Sequence, residues 1–84
     1  MNKFVISHYN SPWIGIVLDY KKRTNKNDLL LVLVLKDKNG KLPRKRILKI
    51  LDESWTREIP PFDISHVNKD WFTNLDGIKR AYQF

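Results

Sequence analysis

Cysteine is absent from this 84-residue chain. That excludes disulfides and thiolate metal sites, and it suits a reducing compartment. Glycine is scarce, at three residues, and no glycine-rich phosphate loop, dinucleotide fingerprint or nucleophile elbow is present. The two histidines, His8 and His66, lie far apart in sequence. A metal site would therefore need carboxylates as its remaining ligands. Asp52, Glu53 and Asp63 read as ordinary loop carboxylates rather than a held acid/base pair. No apolar run approaches the ~18 residues of a membrane span. The N-terminus is too weakly basic and too briefly apolar for a secretion signal. The sequence thus predicts one soluble, intracellular domain, cytoplasmic or nucleoid or nuclear, that is not an enzyme, needs no cofactor or metal and touches no membrane.

Positive charge is abundant and uneven. The net charge is +7. Residues 1–49 hold twelve Lys or Arg against three Asp, whereas residues 50–84 hold four against six Asp or Glu. Such asymmetry between halves points to a polyanionic partner.

A seven-residue apolar run, Leu29 to Leu35, leads through Lys36-Asp37-Lys38-Asn39-Gly40-Lys41 into Arg44-Lys45-Arg46. The length of the run, its valines and the Asn-Gly pair predict a strand, a type I′ turn and a basic return strand over about 42–51. Leu29, Leu31, Leu33 and Leu35 would face inward, leaving Leu30, Val32 and Val34 to be covered by the C-terminal segment or by a second copy of the chain. Phe4 and Ile6 suggest a short edge strand. Asn10-Ser11-Pro12 marks a turn. Residues 13–20 read as an aromatic and β-branched strand, in which Gly15 suggests a bulge or a close backbone approach. Further strands are expected at Trp55–Ile59 and around Phe62 and Ile64.

The period then changes. Val67, Trp71, Leu75, Ile78 and Tyr82 form one helical stripe, with Asn68 as N-cap and Asp70 in the first turn. Gly77 weakens it by ~1 kcal/mol. The expected fold is mainly β: a small, SH3-like, partly open barrel of four or five antiparallel strands over 1–66, with a short C-terminal helix in 67–84, all in one domain.

Ser11-Pro12-Trp13-Ile14-Gly15-Ile16-Val17, with the apolar strand and basic hairpin that follow, resembles a KOW-type segment of SH3-like barrels over about residues 11–51. The resemblance implies a small barrel that binds RNA, DNA or a transcription protein. It makes Gly15 the backbone-turning glycine and carries over nothing catalytic. The run at 29–35 is greasier than that family's pattern, and the glycine-rich approach is missing.

Ten cations form the candidate phosphate-binding set: Lys21, Lys22, Arg23 and Lys26 in one loop, and Lys36, Lys38, Lys41, Arg44, Lys45 and Arg46 on the hairpin. Clustered cations neutralise phosphates and release counterions. A mostly Lys set favours backbone contact over base reading. Tyr20, Trp13 and Trp55 are candidates to stack bases or to cage a methylated lysine; core packing competes for each. The plain alternative for the hairpin is a solvated edge protected from aggregation. The expected function is nucleic-acid binding, DNA or RNA, in transcription, translation or replication. The alternative is a protein-interaction module: a homodimer, or a small regulator, such as a phage one, of transcription or replication machinery.

Overall fold

The computed structural model describes residues 3–7 and 12–84. His8 and the Asn10-Ser11 part of the expected turn lie outside them. Among the described residues there are five strands: β1 (Phe4–Ser7), β2 (Ile14–Lys21), β3 (Leu29–Lys36), β4 (Leu48–Asp52) and β5 (Thr56–Ile59). Every pairing is antiparallel, and the sheet order is β4-β3-β2-β1-β5. Two 3-10 turns, Glu53–Trp55 and Lys69–Phe72, and one helix, α1 (Leu75–Ala81), complete the chain. The fold is mainly β, an open five-stranded sheet with a short C-terminal helix.

Strand β3 organises the core because both of its faces are apolar. Residues alternate sides along a strand, so Leu33 and Leu35 join Phe4, Ile16 and Val67 on one face, while Leu30 and Val32 join Val5, Val17 and Leu51 on the other. Leu31, Val32 and Leu33 are completely buried. The C-terminal segment covers the Leu33 and Leu35 face with Phe62, Ile64, Trp71 and Phe72. This corrects the expectation that it would cover Val32 and Val34. That second face is closed instead by the neighbouring strands and by Trp13, so Val32 and Val34 are buried within one chain.

Gly15 sits at a register shift between β2 and β3. A Cβ there would lie 2.4 Å from a Val32 methyl and 2.7 Å from the Leu33 carbonyl oxygen. Only glycine permits that approach.

The return to β4 differs from the expected tight hairpin. Strand pairing resumes only at Leu48, just after the Val34 N–H donates to the Ile47 carbonyl. Pro43 has no N–H to offer a ladder, and it is buried while Leu42 packs on the core beside it. Arg44, Lys45 and Arg46 therefore lie on a connection spanning residues 37–47, not on a strand. The turn is not type I′ either. Gly40 has φ +75°, and Asn39 is not among the residues with positive φ. The Asp37 carboxylate accepts the N–H groups of Asn39 and Lys41 at 2.9 and 3.0 Å, and the Gly40 N–H reaches the Asp37 carbonyl at 2.8 Å. A side chain that captures its own turn in this way sets the local geometry.

The helical tail is also divided. Asn68 caps the second 3-10 turn, Lys69–Phe72, accepting from the Asp70 N–H, but Asn74 takes a left-handed φ of 57° and α1 begins only after it. The break lets adjacent Trp71 and Phe72 both pack on the same core face, which a continuous helix would forbid. Phe62 and Ile64 pack there as extended chain, without forming the expected closing strand.

Candidate nucleic-acid interface

The ten predicted cations do not form one strip. The β2–β3 loop joins Lys21 to Leu29, and the β3–β4 connection leaves β3 at its other end, where Lys36 lies opposite Ile14. With eight residues in β3 and a strand rise of ~3.3 Å, the two groups stand ~23 Å apart along the strand.

In the loop group one cation, Arg23, is paired with acid, and others share their end of the sheet with carboxylates. The Arg23 guanidinium holds the Asp52 carboxylate at 2.7 Å, and its Nε donates to the Asn27 carbonyl. Arg23 thereby braces the loop and is spent as a phosphate ligand. Asp52 lies below the usual carboxylate range, chiefly because the Ser54 N–H donates to it, with Arg23 adding to the effect. Lys22 shares its depression with Asp19, Asp28 and Glu53. Lys21 and Lys26 are exposed. Tyr20, 57% exposed, sits at this end of β2. Its neighbour Asp19 is bonded at 2.7 Å by Lys79 of α1, which ties the helix to the sheet.

The connection group is different. Lys38, Lys41, Arg44, Lys45 and Arg46 are exposed, as is Lys49 on β4. None of these six enters an ion pair among the described residues. The only carboxylate within residues 37–47 is Asp37, and one of its oxygens already accepts two turn N–H groups. Lys36 departs from the group: it is half-buried with its Nζ 4.6 Å above the Phe62 ring, a cation–π contact that fastens the C-terminal segment.

Beside this group opens a cleft of about 590 Å³, lined by Ser7 of β1, Trp13, Val34, Lys38, Ile47, Lys49 and Trp55 among others. Its walls come from edge strand β4 and from the turn that enters edge strand β5, so the curl of the sheet faces its two edges across one opening. Trp13 forms the floor. It lies 3.2 Å from where a Gly15 Cβ would stand, and packs against the Val32 cluster. The Lys49 Nζ sits 5.8 Å from the Trp13 ring centroid. Trp55 is 52% exposed at the rim, and Ile47 is exposed next to it. Trp13 is thus largely a core side chain, whereas Trp55 offers ring surface. Lys49 was not singled out from the sequence, where it sits inside the apolar pattern Ile47-Leu48-Lys49-Ile50-Leu51. The signal that would have found it is parity with Ile47 and Leu51 on one face of β4.

Together the fold and this site define a small, open, antiparallel β protein with a basic connection beside a tryptophan-lined cleft. No family model matches the chain, and neither a curated protein nor a solved structure is similar to it.

Proposed function

We propose that this protein binds nucleic acid by its phosphate backbone through Lys38, Lys41, Arg44, Lys45, Arg46 and Lys49. The observation that supports the reading is the density of cations on the 37–47 connection and the start of β4, none of them ion-paired among the described residues and with Asp37 the one carboxylate on that connection. Phosphates take the place of carboxylate partners, and the release of their condensed counterions drives association. Lys21, Lys22 and Lys26 contribute at most to long-range attraction, because their end of the sheet carries its own acids. The KOW-type SH3-like kinship belongs to the same proposal, supported by the glycine at the β2 bulge and by a barrel-like curl. It places the protein inside a cell, where nucleic acid is found. Binding is the whole of the proposed activity.

A mobility-shift titration with single-stranded and duplex DNA and with RNA, at low salt, tests this. The protein should retard nucleic acid, and the triple substitution Arg44→Gln, Lys45→Gln, Arg46→Gln should abolish the shift. Absence of any shift at low salt sinks the proposal.

A protein partner is the second reading. It is supported by Ile47 and Ile50, both exposed at edge strand β4, since an unpaired edge with apolar side chains accepts an added strand. Binding of a protein that survives the triple substitution would favour it.

A further inference from the structure

We infer that the cleft between β4 and Trp55 takes an unpaired nucleobase, so that the protein prefers single-stranded over duplex nucleic acid; this rests on the reading of the basic connection above. Two observations converge. The cleft is of the size of small-ligand sites, about 300–1,000 Å³, at about 590 Å³. Its walls are apolar and aromatic, from Trp13, Val34, Ile47 and Trp55, while its charged groups are Lys38, Lys49 and Asp37, one of whose oxygens is already taken by the Asn39 and Lys41 N–H groups.

The charge selects the occupant. A methylated lysine would enter against two ammonium groups opposed only by Asp37, which already holds two turn N–H groups, and the π-face of Trp13 that would cage it already carries Lys49. An anionic ligand with a flat apolar part meets the opposite condition. Its ring lies on Trp55 and against Ile47, and its phosphates meet Lys38 and Lys49. Continuing along the strand, neighbouring phosphates reach Lys41 and the Arg44-Lys45-Arg46 run. Trp13 acts as a positioning residue: half-buried and packed on the Gly15 side, it presents its ring to Lys49 and holds that ammonium within the cleft. A base within a duplex is stacked on its neighbours and cannot enter without leaving the helix. A single strand presents every base face freely. The preference therefore follows from stacking on the Trp55 ring, which only an unpaired base face can offer, without any base-edge recognition.

The test is equilibrium binding of the full chain to fluorescein-labelled oligothymidylate of about ten nucleotides and to a duplex of equal length, by anisotropy, with intrinsic tryptophan emission read in parallel. Single strands should bind at least about fivefold tighter than duplex and should quench tryptophan emission, in keeping with the stacking gain per base. Trp55→Ala should weaken single-strand binding about five- to 150-fold, the span that one lost stack implies, while leaving duplex affinity unaltered. Trp55→Phe, which keeps a ring, should restore most of it. Circular dichroism of the alanine variant checks that it keeps the wild-type fold, and the comparison with duplex affinity separates a lost stack from a lost fold. Equal affinity for both forms, or an equal loss for both on Trp55→Ala, would overturn the inference and leave backbone binding standing. Failure of the wild-type chain to bind either form at low salt would remove backbone binding and the inference together.

Discussion

The separation of the two basic groups has a measurable consequence. Neutralising three cations at either end changes the net charge equally, yet only one end should matter. At the connection, Arg44→Gln, Lys45→Gln and Arg46→Gln remove three of six unpaired cations. For single strands each phosphate contact carries a salt exponent of ~0.7, which at 0.1 M salt is roughly a fivefold contribution to affinity. Three lost contacts should therefore weaken binding about 100-fold. At the loop, Lys21→Gln, Lys22→Gln and Lys26→Gln lie ~23 Å away along β3, more than two Debye lengths at 0.1 M, where the Debye length is ~10 Å. Their loss should cost no more than about threefold, from screened attraction alone. Fluorescence anisotropy at fixed salt, with both triple variants verified as folded by circular dichroism, makes the comparison. Equal losses from the two variants would refute the reasoning, because they would mean that the bound strand runs across both ends of the sheet.

The fold and the ion pairs carry their own expectations. Gly15→Ala should lower stability by ~3 kcal/mol through overpacking. That is a melting-temperature drop of about 12–24 °C for a domain of this size, read by thermal circular dichroism; an unchanged melting temperature would mean that β2 and β3 do not approach there. Leu33→Ala, at a completely buried position, should cost ~2–5 kcal/mol, measured by urea unfolding. The Asp19–Lys79 pair should stabilise the chain over a defined pH window. The Lys79 ammonium beside Asp19 holds that carboxyl below its ordinary value of 3.8, so its contribution is complete above that value and is lost as pH falls through the lower folded one. Asp19 raises Lys79 above 10.5, so that contribution is complete below 10.5 and is lost as pH rises through the higher folded value. Urea midpoints of wild type and Lys79→Met should accordingly differ by a constant amount across neutral pH and converge at the acidic extreme; a difference unchanged by acid would show that the pair is absent.

The sequence made the sheet legible where pattern and physical cause coincide. The double-sided apolar run at 29–35 fitted a strand better than a buried helix segment, through its length, its valines and the Asn-Gly that follows, and Gly15 marked a bulge or close approach that the register shift, the Val32 methyl and the Leu33 carbonyl make real. Asn68 is an N-cap as expected, but of a 3-10 turn and not of the expected helix. What pattern could not supply was competition among local groups. The Asp37 side chain displaced the type I′ geometry that Asn39-Gly40 suggested. Pro43 delayed the return strand and moved Arg44, Lys45 and Arg46 onto a loop. Asn74 broke the helical stripe. For the site, charge counting singled out both basic segments but could not see that antiparallel pairing sends them to opposite ends of β3. Nor could it see that Asp52, distant in sequence, claims Arg23, or that Phe62 claims Lys36. Lys49 was hidden because its neighbours in sequence are apolar, although across the sheet it lies opposite Val32, over the tryptophan floor.

The central claim is that six cations at the β3–β4 connection engage phosphates directly, and the salt dependence of binding measures this. Affinity for single-stranded oligothymidylate, titrated between about 50 and 200 mM salt, should fall with a logarithmic slope of about −4, roughly 250-fold over that range. A slope near zero, or no binding at the lowest salt, would contradict the account.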